Sequence, residues 1–500
     1  MKKRERSGRK RTGEAGKNQS TDRYMKSGQD VKEERGKTAM KKTVFVWGIM
    51  AAAALVFSGC SLTETGEQGM ELRETDGGEV LAEAVYPEMA PYPNEREYIN
   101  TRTGEFDDEG FQEVYGAWRS GKAALNELPE ADGTAMGTFT EQSVRQFLSG
   151  SGDENRICSP VNLYVALAML AETTGGESRQ QILSLLDADG TEELEKRAGN
   201  LWKLCYSNDG AVTSLLANSL WLQEGMQYDS QVLEHMKETY HASAYRGVMG
   251  SEEYNRLLQD WLDRQTGGLL KDQASGMKLD HDTVFALAST ILYQARWKAE
   301  FSENNTKEAV FHGNAGDTPC EFLNSSSYGN YYWSDQFAAV SLELNESGAM
   351  WIILPDEDVS VDDVLSGKQM FELTAPGTEW KDRKYLKVNL SVPKFDAASD
   401  LNLGDGLRAL GVCDIFDPET ADFSPLFGET DGIFLSAAQH AARVKIDEQG
   451  VEAAAYTVMA AAGAAMPPDD EVDFTADRPF LFMITSQHGY PLFAGVVNEP

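Results

Sequence analysis

The sequence predicts an α+β fold in one large domain covering residues 135–500. Two observations carry that reading. Apolar residues at helical spacing and short β-branched runs both occur, without the regular strand–helix alternation of a parallel α/β protein. Hydrophobic residues make up 41% of the chain and aromatics 10%, enough for a substantial core.

The N-terminal part reads differently. Residues 1–59 hold 15 of the 45 Lys and Arg but only 6 of the 80 Asp and Glu. Residues 60–500 hold 30 basic against 74 acidic side chains, a balance of −44. So acidic an exterior repels nucleic acid phosphates and anionic lipid headgroups, and neither is expected as a partner. Residues 1–39 are polar and basic, a disordered leader, and translation is expected to begin at Met40. Met40-Lys41-Lys42, the apolar run Thr43–Phe57 and Ser58-Gly59-Cys60 together describe an export signal. At about 15 residues the run is short for a spanning helix. Cys60 directly after Ser-Gly resembles the bacterial lipobox, although Phe57 stands where Leu is usual. That resemblance implies a lipid on Cys60 and a chain held at the cell envelope, facing the extracellular space or shed into it. Residues 61–134, rich in Glu, Gly, Thr and Pro, read as an acidic flexible linker with local helix near Phe111–Leu128.

Within the domain, Phe139, Val144, Phe147 and Leu148 have helical spacing, and Val161–Ala171 is an apolar helix after Ser159-Pro160. Strands are expected at Val284–Tyr293, Val340–Leu344, Met350–Leu354, Leu386–Val392, Arg443–Ile446, Phe480–Ile484 and Leu492–Val497. Helical patches fall at Tyr254–Thr266 and Leu403–Leu410. Cys158, Cys205, Cys320 and Cys413 have no CxxC spacing and read as buried free thiols. GxSxG and HExxH are absent, and the six histidines show no metal-ligand clustering, so no enzyme, metal or cofactor is expected.

One segment stands apart. Asp447–Met466 reads DEQGVEAAAYTVMAAAGAAM, with eight alanines among the thirteen residues 453–465 and no proline from Val451 to Met466. Composition alone makes this a surface helix. The extended stretch Pro467-Pro468-Asp469-Asp470-Glu471 and the strand-like run from Phe474 to Phe493 argue against that.

Six motifs in order resemble the serpin family across residues 138–500. Ser159-Pro160 resembles its SP motif, and Trp297, Phe301 and Asn305-Thr306 its KW-x-x-PF stretch, with Ala299-Glu300 departing from it. Val392-Pro393-Lys394-Phe395 resembles its PKF strand, and Asp422-Phe423-Ser424 its ADFS turn. The runs from Phe474 to Phe480 and from Leu492 to Asn498 resemble its C-terminal signatures.

The resemblance implies a large central sheet A with two further sheets, eight or nine helices and an exposed reactive-centre loop. It also implies a monomeric suicide inhibitor of serine proteases: the loop is cut, an acyl complex forms, and the freed hinge enters the sheet. By this match Glu448, Gln449 and Gly450 open the hinge. Val451, Ala453, Ala455, Thr457 and Met459 follow as inward positions, with Ala454 between Ala453 and Ala455. Inward positions must be uncharged and free of proline, because they enter a packed central strand. All are, although Val451 stands where Thr or Ser is usual and Tyr456 where a small residue is usual. Counting from Glu448 puts the reactive bond at Ala464–Ala465, with Met466 and Ala462 as alternative cleavage points. Small residues there imply elastase-like or subtilisin-like targets. Ser159, Asn162, Ser289 and His440 align with polar positions beneath the opening sheet, Ser and Asn exchanged relative to the family at two of them. The rival reading is a non-inhibitory member acting as a binding or chaperone module.

Overall fold

The computed structural model describes residues 73–75, 77–123, 133–451 and 470–500. Strands β1 (Arg73–Thr75) and β2 (Gly78–Ala82) precede helix α1 (Asp108–Ala123). Helix α2 (Gly133–Leu148) leads to β3 (Arg156–Cys158), and α3 (Pro160–Thr173), α4 (Gly176–Leu185) and α5 (Thr191–Cys205) follow. Next come β4 (Ser207–Asn208), β5 (Val212–Gln223), α6 (Ser230–Tyr240), β6 (Ala242–Gly247), α7 (Glu252–Gln265) and β7 (Phe285–Arg296). The second half is mostly sheet: β8 (Lys307–Gly313), β9 (Gly316–Trp333), β10 (Phe337–Glu343), β11 (Ala349–Pro355), β12 (Arg383–Pro393) and β13 (Asp396–Asn402). It ends with β14 (Leu435–Lys445), the two-residue β15 (Gly450–Val451), β16 (Glu471–Thr475), β17 (Phe480–Thr485) and β18 (Pro491–Val497).

Two sheets result. The first, the expected sheet A, has the order β1-β2-β6-β5-β7-β14-β13, with β15 added on β7 and β4 on β5. The second runs β16-β12-β9-β10-β11-β17-β18-β3, with β8 on β9. Two separate further sheets were expected. They are joined because β9 is long enough, at 18 residues, to pair with β8 over residues 316–322, with β12 over 322–332 and with β10 over 331–333. Strands β17 and β18 are buried at every residue, so their apolar runs show no alternation.

Helix α3 lies against one face of sheet A. Ser159 caps it, its hydroxyl accepting from the Asn162 N–H, and Pro160 sits at the first turn, where its missing N–H leaves nothing unpaired. Its residues are buried almost all round, as suits a helix inside the core. Helix α7 covers the opposite face. Trp261 and Leu262 pack in one buried cluster with Ala286 and Ala288 of β7 and Ala441 of β14. Phe285, Leu287 and Ile291 belong to the other cluster, because alternate strand residues point to opposite faces. Sheet A is therefore dry on both sides around its centre.

The reading of residues 61–134 as a flexible linker is corrected where the chain is described. Strand β2 pairs with β6 and extends sheet A, with an ion pair between Arg246 and Glu79. Leu81 and Trp118 are buried, Tyr86 stacks on Trp202 at 6.2 Å, and Lys122 pairs with buried Asp209 at 2.8 Å. A few large apolar anchors in an acidic stretch are enough to dock it, and average composition hides them. The cysteines also divide: Cys158 and Cys205 are buried, Cys320 partly so, and Cys413 is exposed.

Candidate functional site at the seam of sheet A

The seam between β7 and β14 has two distinct parts. In its lower half the strands pair in parallel, from Phe285 opposite Leu435 to Thr290 opposite Ala441. At its upper end β7 pairs instead with the hinge: Gly450 opposite Arg296 and Val451 opposite Ala295, antiparallel. Residues 291–294 of β7 have no strand partner on that side among the described residues. Val451 is 1% exposed, so the first inward hinge side chain already sits in the interior. Gly450 must be glycine here, since a Cβ would lie 2.2 Å from the Ala295 carbonyl oxygen.

A tight turn delivers the hinge. The Asp447 carboxylate accepts from the N–H groups of Gln449 (2.8 Å) and Gly450 (3.2 Å). The Trp297 indole donates to the Asp447 carbonyl at 2.8 Å, and the Trp297 and Phe301 N–H groups donate to Gln449 and Glu448 carbonyls, each at 2.9 Å. Glu448 Oε1 accepts from Thr306 Oγ1 (2.6 Å) and faces Lys394 Nζ (2.7 Å). Burial would raise the Glu448 carboxyl, but these donors outweigh it and hold the group below its ordinary range. Motifs far apart in the chain thus meet at one residue of the hinge.

In the middle of the seam lies a buried polar chain. The Ser159 N–H donates to His440 Nε2 at 3.0 Å, which leaves Nδ1 as the protonated nitrogen, donating to Ser289 Oγ at 3.3 Å. The Asn162 amide donates to Ser289 Oγ (2.8 Å) and to the Thr290 carbonyl (2.7 Å), and its oxygen accepts from the Asn218 amide (3.2 Å). Thr290 Oγ1 in turn donates to the Ala441 carbonyl across the seam at 3.0 Å. All these groups are buried, and desolvation pulls the His440 pKa down to about 4. The imidazole is therefore neutral at pH 7, and the chain fastens helix α3 to both seam strands.

The structure thus brings Ser159, Asn162, Ser289 and His440 together and sets Glu448, Gln449, Gly450 and Val451 at the top of the seam. Ala453, Ala454, Ala455, Thr457, Met459, Ala464 and Ala465 lie outside the described residues, as does Cys60. Asn218 and the contact of Thr306 and Lys394 with Glu448 were not anticipated. Thr306 and Lys394 stood out only as motif residues, and nothing in spacing reveals what they touch. The reading of the histidines as unclustered is corrected too: His235, Glu172 and Glu195 offer ligand atoms within 4.8 Å of one another. They come from three helices, so no local spacing marks them.

Comparison with known proteins is consistent across this domain. A family model described as serpin (serine protease inhibitor) matches residues 134–500. The chain is 30% identical over 376 residues to alpha-1-antitrypsin 1-2 of Mus musculus, covering 73% of this chain and 88% of that protein. It is 28% identical to the leukocyte elastase inhibitor of Homo sapiens, covering 69% of this chain and 93% of that protein. Among solved structures, the native thermophilic serpin tengpin superposes with a TM-score of 0.66 at 23% identity, over 75% of this chain and 95% of that one. Thyroxine-binding globulin in complex with thyroxine superposes with a TM-score of 0.64 at 21% identity, over 74% and 99%. With fold, seam and motifs all in agreement, the chain belongs to the serpin family of serine protease inhibitors.

Proposed function

We propose that this chain traps serine proteases of elastase-like or subtilisin-like specificity by loop cleavage followed by hinge insertion between β7 and β14. The observation that carries the reading is the placement of Gly450 and Val451 as the first two residues of an incoming strand.

In the first step a protease serine Oγ attacks the Ala464 carbonyl carbon. The peptide bond to Ala465 breaks, the new amine of Ala465 leaves with the proton, and Ala464 remains as an acyl ester. Water would normally complete hydrolysis. Here the freed segment continues the existing antiparallel register instead. One-for-one extension from Gly450 opposite Arg296 sets Ala453 against Tyr293, Ala455 against Ile291, Thr457 against Ser289 and Ala461 against Phe285. The inward side chains are small or uncharged where β7 is buried, which limits overpacking. Residues 454, 456, 458 and 460 fall on the face that α7 covers, so Tyr456 is the bulkiest side chain that must pass there. The ten residues 452–461, at about 3.3 Å each, lengthen the inserted strand by some 33 Å and draw the acylated Ala464 down the sheet behind them.

Insertion replaces six parallel pairs with antiparallel ladders on both sides of the new strand and buries apolar surface, which supplies the driving force. The export signal supports a further placement: lipid on Cys60 would hold the inhibitor at the cell envelope, where it meets secreted proteases as a monomer.

Incubation with neutrophil or pancreatic elastase, followed by a denaturing gel, tests the proposal. A band at the summed mass of the two chains is expected. Quantitative loop cleavage with no adduct would instead assign the chain to the binding or chaperone class.

A further inference from the structure

Glu172 of α3, Glu195 of α5 and His235 of α6 converge on one spot away from the seam. Each offers one ligand atom, all within 4.8 Å of one another, and each residue is partly buried. His235 Nε2 lies 3.8 Å from Glu195 Oε1, beyond hydrogen-bond range. The three groups therefore face each other without satisfying each other. We propose that this spot binds a divalent transition metal of the zinc class, with Glu172, Glu195 and His235 as ligands.

The supporting shell is in place. His235 Nδ1 faces Thr239 Oγ1 at 3.4 Å, and when that hydroxyl accepts the Nδ1 proton, Nε2 is left with its lone pair for a metal. The Tyr240 hydroxyl donates to Glu172 Oε1 at 3.2 Å, which orients that carboxylate. Two carboxylates brought this close repel, and a cation between them relieves that repulsion. The Arg179 guanidinium donates from its Nε to the Ala171 carbonyl at 3.1 Å.

Tetrahedral zinc holds ligands about 3.4 Å apart, given bonds of about 2.0–2.1 Å. The observed spacing closes to that with small rotations of the partly buried glutamate side chains. One imidazole with two carboxylates leaves a fourth position for water, and imidazole favours zinc over magnesium or calcium. The surplus of acidic residues over the whole chain, a net charge of −35, raises the local cation concentration.

Isothermal titration of the untagged chain with zinc chloride tests this. One zinc per chain is expected, with His235→Gln and Glu195→Gln each weakening binding at least tenfold. Tyr240→Phe should weaken it about tenfold, as loss of an outer-shell partner does. His312→Gln, remote on the surface strand β8, should leave the isotherm unchanged, and millimolar magnesium or calcium should not displace zinc. Absence of saturable binding, or saturable binding that survives both His235→Gln and Glu195→Gln, would overturn the assignment.

Discussion

At the top of the β7–β14 seam the strands have parted and hold two hinge residues between them, whereas at its middle they are closed by six parallel pairs and a buried polar chain. The upper end is built from features that hold an entry open: a glycine with no room for a Cβ, a turn capped by Asp447, and Glu448 anchored by Lys394 and Thr306. The middle is built from features that resist entry. Opening it requires breaking the bond of Thr290 across the seam and disturbing the buried contacts of Asn162 and His440. The difference teaches where the barrier lies. On the proposed mechanism, Gly450 and Val451 mark the point of entry and the resistance to full insertion sits about five residues further down.

Substitution at the top should have the largest functional effect. Val451→Arg would bury a guanidinium beside Ala295, at a cost of several kcal/mol. Adduct with elastase is expected to vanish on a denaturing gel while loop cleavage persists. Retained adduct would show that the hinge does not enter where the structure sets it.

Breaking the middle should act on stability instead. Asn162→Ala leaves Ser289, the Thr290 carbonyl and Asn218 without their shared partner in a dry site. A loss of about 3 kcal/mol is expected from the denaturant midpoint. A change below about 1 kcal/mol would mean the chain does not seal the seam.

The middle is also where pH should be felt. An unfolded imidazole takes its proton near pH 6.5, whereas buried His440 refuses it until about pH 4. Between those values the unfolded state binds more protons, so stability is full above about pH 6.5 and falls as pH drops toward 4. The span corresponds to roughly 3 kcal/mol. Denaturant midpoints from pH 7 to 4 should show that slope, and His440→Asn should flatten it. At the top, Glu448→Gln exchanges a partly exposed ion pair for a neutral hydrogen bond, so a loss of only about 1 kcal/mol is expected from the same assay.

How much of this was visible in the chain itself differs by region. The buried runs of β17 and β18 and the capped, amphipathic α7 declare themselves through pattern alone. The inward side of Val451 was legible only through the family match of the hinge, after which a strand's period of two fixes the parity of the positions that follow. Strand β5 was missed: its Ser, Asn and Gln dilute the apolar signal, although nearly every residue is buried against its neighbours. Strand β14 was recognised only at its end, because Ser436, Gln439 and His440 interrupt its apolar pattern. The contact of Glu448 with Lys394, and the docking of Trp118, depend on long-range packing that local sequence does not encode.

Hydrogen exchange on the chain after loop cleavage asks most directly whether the parted end of the seam propagates through the closed one. The account predicts that amides of residues 452–461 become as slow to exchange as those of β5, because they form a new central strand. Amides of 452–461 exchanging at coil rates in the cleaved chain, with β7 and β14 still protecting each other, would contradict it.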